Sequence, residues 1–257
     1  MKKIALIFVF LLTIPFQANA QWFLQETIPN TLLHNVKLVN SSTGWVVGTP
    51  GVIFRTTNGG TDWVAQTSGT LVDLWGISFT DTSNGTVVGM EGTILRTTNG
   101  GTDWVAQTSG RIENINDVSF IDANNGTAVG NNYIYRTTNG GASWVTQSVG
   151  VGLQAVFFSD ANNGTAVGYP GAILRTTDGG STWTPQSSGT SYFLWDVCFI
   201  DAEVGTTVGV DFMPPTRQGI ILKTTNGGTT WVTQRDTSNG LFGVSFSDVY
   251  NGITVGW

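Results

Sequence analysis

Charge is scarce in this sequence, and so are the residues that most often carry chemistry. Charged residues make up 11% of the 257, against about 25% in an ordinary globular chain. A single cysteine, Cys198, leaves no disulfide within the chain, so an exported protein of this size must rest on its core. A single histidine, His34, excludes a histidine-rich metal site and any Ser-His-Asp triad built on another histidine. Beyond residue 20 no apolar run is long enough to span a bilayer. Basic side chains are the scarcer sign, with 11 Lys and Arg against 17 Asp and Glu for a net charge of −6. That balance argues against nucleic acid or an anionic membrane as partner. No cofactor and no metal are expected.

The longest apolar run lies at the start. Lys2 and Lys3 precede Ile4 to Phe16, and Ala18-Asn19-Ala20 gives a small-x-small cleavage site. That pattern predicts a signal peptide over residues 1–20, with a mature, exported chain from Gln21 that is extracellular, cell-surface or periplasmic.

Glycine, by contrast, is abundant at 34 residues, and much of it belongs to a repeat. The stretch Arg96-Thr97-Thr98-Asn99-Gly100-Gly101-Thr102-Asp103-Trp104 recurs as Arg55 to Trp63, Arg136 to Trp144, Arg175 to Trp183 and Lys223 to Trp231. Its tryptophans fall 41, 40, 39 and 48 residues apart, the period of a repeat architecture. Thr-Thr ends a β-branched strand, Asn-Gly or Asp-Gly supplies a turn that tolerates positive φ, and Trp opens the returning strand with a large face to bury.

Overlaying the copies predicts four strands per unit. In the second they are Leu74 to Phe79, Thr86 to Gly89, Gly92 to Thr98 and Trp104 to Thr108. Short strands apolar on both faces belong to sheets buried on both sides. Four-stranded sheets packed face to face about an axis make a β-propeller. Trp22 to Gln25 overlays a fourth strand with no first three before it, while Leu241 to Phe246 and Gly252 to Gly256 overlay a first and a second. The expectation is an all-β propeller over 21–257, with five full blades and a partial sixth, read as a fragment of a six- or seven-bladed ring.

The repeated stretch resembles the Asp-box, or BNR, pattern Ser/Thr-x-Asp-x-Gly-x-Thr-Trp. Thr176 to Trp183 matches every constrained position, and the other copies carry Asn58, Asn99, Asn139 and Asn226 in place of the Asp. The whole repeat is similar to those of the photosystem II assembly factor family, which implies a secreted or lumenal β-propeller. Asp-boxes also occur in sialidases, in xyloglucan hydrolases and in propellers without enzymatic activity, so function must be sought outside the box.

Three sets of residues are candidates. Arg55, Arg96, Arg136, Arg175 and Lys223 end the third strands, while Asp81, Asp122, Asp160, Asp201 and Asp248 close first strands. An up-and-down blade brings these two turns to one end. The expectation is a ring of structural ion pairs and turn caps, with an anion-binding basic ring as the functional alternative. Asp117 and Asp196 occupy equivalent first-strand positions two blades apart, and such a pair is what a paired-carboxylate glycosidase would use. The third set lies at the other end, where the units differ. Equivalent positions near the start of the first strands hold His34, Trp75, Asn116, Gln154, Trp195 and Phe242. An insertion over Val210 to Gln218 adds Phe212, Met213, Pro214, Pro215 and Arg217. Variation with aromatics and an arginine points to recognition. The reading is a monomeric, non-catalytic binding or assembly scaffold for a protein or glycan partner on this end. The alternative is a carbohydrate-active hydrolase using Asp117 and Asp196.

Overall fold

A computed structural model of the chain describes residues 31–212 and 217–257. The leader, the strand expected at Trp22 to Gln25 and residues 213–216 lie outside that range. The described residues form strands, turns and one three-residue 3-10 turn.

The first sheet runs β1 (Leu32–Leu38), β2 (Gly44–Thr49), β3 (Val52–Thr56) and β4 (Val64–Gln66), each antiparallel to the next. The second repeats it as β5 (Leu74–Phe79), β6 (Gly85–Gly89), β7 (Thr93–Thr97) and β8 (Val105–Thr108). The third and fourth units share one six-stranded sheet of β9 (Ile115–Phe120), β10 (Gly126–Thr137), β11 (Val145–Phe158), β12 (Gly164–Tyr169), β13 (Ala172–Thr176) and β14 (Thr184–Gln186). A four-stranded sheet follows, with β15 (Phe193–Phe199), β16 (Gly205–Val210), β17 (Gly219–Thr224) and β18 (Val232–Thr237). β19 (Leu241–Phe246) and β20 (Gly252–Gly256) form a final hairpin.

Five repeat units and a partial sixth are therefore present. The expected boundaries shift slightly: the second strand of a unit begins one residue earlier, at Gly85, and the fourth begins after the tryptophan, at Val105. In the third unit the turn Asn131-Asn132, with the left-handed φ of 67° at Asn132, is short enough that β10 takes in both the second and the third strand. β11 likewise runs from the fourth strand of one unit into the first of the next, because no loop separates them.

The first strand of each unit packs against the first strand of its successor, from β1 through β5, β9, β11 and β15 to β19. These inner strands surround the axis of a β-propeller. The core lies between sheets rather than within them. Trp45, Val47 and Ile53 of the first sheet pack on Leu74, Ile77 and Phe79 of the second, and the same sandwich recurs at every later junction. Burial on both faces is why the strands lack a polar alternation. Leu32, Val36 and Leu38 of the first sheet and Ile253 and Val255 of the final hairpin are exposed.

Candidate functional site

Each box turn is held by its own side chains. In the second unit Thr97 Oγ1 accepts the backbone N–H of Gly101 at 2.8 Å and of Asn99 at 3.3 Å. Asn99 Oδ1 in turn accepts the N–H of Asp103 at 3.0 Å. The same bonds recur at Thr56, Thr137, Thr176 and Thr224, which assigns the box to the fold. The tryptophan that closes the box lies edge-on to a first-strand phenylalanine. Phe79–Trp104, Phe120–Trp144, Phe158–Trp183 and Phe199–Trp231 have centroids 5.9–6.0 Å apart. Each such pair contributes about 0.5–1.5 kcal/mol beyond its buried area.

The expected ion pairs between periodic cations and carboxylates are not formed. Arg111 and Glu113, neither of them periodic, pair at 3.9 Å. The carboxylates cap their own turns instead: Asp81 Oδ1 accepts the N–H groups of Ser83 and Asn84 at 2.7 and 2.9 Å, and Asp122, Asp160 and Asp248 do the same. Hydrogen bonds from the turn hold all four below the usual carboxylate range. The arginines reach across to the following unit. Arg96 donates to the Ala123 carbonyl at 2.7 Å, Arg136 to Gly179 at 2.7 Å and Arg175 to Ala202 at 2.9 Å. Arg96 and Arg175 also lie over Phe120 and Phe199. Both are buried, and burial pulls their guanidinium pKa values down. A carbonyl of the next blade lies within reach of each of these guanidinium groups, while the carboxylates are turned toward the N–H groups of their own turns. The cavity beside Arg136 holds about 10 Å³, room for roughly one water. At this end Arg96, Arg136 and Arg175 act as inter-blade latches.

Asp117 and Asp196 are half-buried rather than solvated. Asp117 Oδ2 accepts the N–H of Val156 at 2.9 Å, and Asp196 Oδ2 that of Val244 at 2.8 Å. Each carboxylate thus ties one inner strand to the next. Burial pushes Asp117 up to about 7 and Asp196 up to about 6, against their backbone hydrogen bonds, and the charge of Asp196 raises Asp117 further. Cys198 is half-buried on the same inner strand as Asp196, and burial raises its thiol.

The variable end has a cause invisible in the sequence. In every unit the pairing of first and second strands skips one residue, and the skipped residue is His34, Trp75, Asn116, Gln154, Trp195 or Phe242. Each is the extra residue of a β-bulge, the device that re-aims a side chain without breaking the strand. His34 is exposed and the other five are half-buried. The tryptophans and Phe242 are thus less open than their variability suggests. His34 is 2.9 Å from Thr49 Oγ1, and Asn116 donates to the Leu153 carbonyl at 2.6 Å. The insertion places exposed Phe212 and Arg217 at this end, Phe212 at 6.2 Å from Trp195. Met213, Pro214 and Pro215 lie outside the described residues. Tyr169, Phe193 and Trp257 join the same aromatic contacts. Their signal was positional, since all three flank the bulge or the second-to-third turn. No cluster of His, Cys, Asp or Glu among the described residues has the spacing to hold a metal ion. No described helix is long and apolar enough to cross a membrane.

Comparison with known proteins puts this geometry in a family. Residues 107–242, more than half of the chain, match the family model of the photosynthesis system II assembly factor YCF48. No curated protein matches the sequence. Among solved structures, YCF48 bound to a D1 peptide superposes with a TM-score of 0.60 at 18% identity, covering 88% of this chain and 90% of that one. YCF48 from Cyanidioschyzon merolae gives 0.61 at 18% identity, over 90% and 94% of the two chains. The GH74 enzyme of Niastella koreensis gives 0.63 at 16% identity, but this chain covers only 38% of it. At such identities the superpositions show a shared fold, and the family rests on the sequence match. The chain belongs to the YCF48 family of BNR-type β-propellers.

Proposed function

We propose that this protein is an exported, monomeric and non-catalytic propeller that holds a polypeptide segment of a partner on its variable end. The observation that carries the reading is the bulge in every first strand. It presents six side chains of five kinds, from His34 to Phe242, at one mouth of the channel while the opposite end repeats itself. A fold that needed only stability could repeat one good residue there. A family member with a bound D1 peptide supports a protein rather than a glycan as partner. The hydrolase alternative is weakened because Asp117 and Asp196 each hold a backbone N–H of the next blade.

The test is capture of partners by the folded protein, comparing Trp75→Ala/Trp195→Ala with Arg96→Ala/Arg136→Ala. The tryptophan pair is expected to lose binding and the arginine pair to keep it wherever it still folds. The opposite result would place the site at the box end. Hydrolysis of xyloglucan that disappears in Asp117→Asn or Asp196→Asn would refute the scaffold reading.

A further inference from the structure

The aromatic side chains of the variable end are not spread evenly around the channel. Tyr169, from the end of β12, stacks on Phe193 with centroids 4.1 Å apart. Phe193 lies 6.1 Å from Trp195 and 5.4 Å from Phe212. Trp195 meets Phe242 edge-on at 5.4 Å, and Phe242 meets Trp257 at 4.8 Å. Arg217 stands 5.0 Å over the Trp257 ring. Four separate pieces of chain, from the fourth unit to the last hairpin, thus converge on one continuous wall. The bulge positions of the third and fourth units are polar, Asn116 and Gln154.

The wall is only half dry. Tyr169 is 45% exposed, Phe212 41% and Trp257 57%, although burying such rings is worth about 25 cal/mol per Å². Rings locked against one another lose little freedom when a further apolar group lands on them, which is why aromatics dominate interface anchors. The guanidinium at the rim adds a charge preference, because arginine forks match carboxylates in a chain that is otherwise net negative.

We propose that this wall is the subsite for an aromatic side chain of the bound polypeptide, with Arg217 taking an acidic side chain beside it. The inference rests on the polypeptide-binding reading and narrows it to one sector and one sequence chemistry. The test is fluorescence polarisation of the whole protein with short labelled peptides in which a Trp or Phe adjoins a Glu. Matched peptides carry Gln for Glu or Ala for the aromatic, and cellohexaose serves as a glycan competitor. Phe212 and Arg217 are exposed, so Phe212→Ser and Arg217→Gln leave the fold intact. Phe212→Ser is expected to weaken the aromatic–Glu peptide about tenfold or more. Arg217→Gln should weaken the Glu peptide to the level of its Gln control and leave the Gln control unchanged. Binding unaffected by both changes, yet lost in Trp75→Ala, would overturn the wall while keeping the variable end as the site. Displacement of the peptide by cellohexaose would overturn it in favour of a glycan, and failure of every peptide to bind would overturn both readings.

Discussion

At the scale of single residues, two classes of aspartate behave oppositely. Those in the turns, such as Asp81 and Asp122, are held low by hydrogen bonds to charge, so what they add is lost only as pH falls below about 4. Asp117 and Asp196 are raised, to about 7 and about 6. A carboxyl whose folded pKa exceeds its unfolded value binds its proton more tightly in the fold, so its contribution is full below about 4 and is lost as pH rises through 6 to 7. Melting temperature should therefore decline from pH 5 to pH 8. In Asp117→Asn, which keeps an acceptor for Val156 without a charge, that decline should be smaller by a few degrees, roughly the effect of 1 kcal/mol in a chain of this size. Calorimetry across that range reads it, and an unchanged slope would show that Asp117 ionises freely in the fold. The buried box hydroxyls give a second residue-scale prediction. Thr97→Val keeps the shape but orphans the Gly101 N–H, and should cost about 1–3 kcal/mol by urea midpoint. Asn99→Asp should destabilise as well, because Asn99 Nδ2 donates to Asp103 Oδ2 at 2.8 Å and an Asp there would face a second carboxylate, whereas Asp178 faces the hydroxyl of Thr182.

Between elements, the unit of construction is the junction. In every unit after the first, whose Gly44 faces Leu38, a glycine opens the second strand opposite a first-strand phenylalanine, and a Cβ at Gly126 would run into the ring of Phe120. That ring also receives Trp144 edge-on and lies beneath Arg96. Gly126→Ala should therefore destabilise by about 1–3 kcal/mol, as overpacking does, with the loss read from denaturant unfolding. Arg96→Met tests the latch itself. It keeps an apolar stem beside Phe120 but removes the bond to Ala123, and should cost about 1.5–3 kcal/mol without altering partner binding. A loss of binding in a still-folded Arg96→Met protein would return the basic ring to consideration.

For the whole molecule, stability is distributed over junctions, each of which buries apolar residues of two neighbouring sheets. Nearest-neighbour stability of this kind frees any one blade to change a bulge residue without disturbing distant ones. That freedom is the physical basis for a variable end on a constant frame. The proposed export belongs to this scale too. Intact-mass analysis of secreted protein should find a chain beginning near Gln21, and retention of Met1 would rule out cleavage after residue 20.

Much of the frame was legible in the sequence because its determinants are local. The period of the tryptophans, the Thr–Asn–Gly turns and the doubly apolar strands each depend on residues within one unit, so reading one unit predicted them all. What the sequence could not settle were contacts between units, which have no local signature. The arginines look like partners for the aspartates when aligned in a column, yet only the stacking of blades shows that a carbonyl of the next unit lies closer. A bulge is likewise a mismatch between two strands and cannot be read from either alone. The aromatic wall was half seen: Trp195, Phe212, Phe242 and Arg217 were singled out by their variability. Tyr169, Phe193 and Trp257 joined them only when the curvature of the ring brought the fourth, fifth and last units to one sector. Repetition along the chain decides what a blade is, and packing about the axis decides which side chains meet.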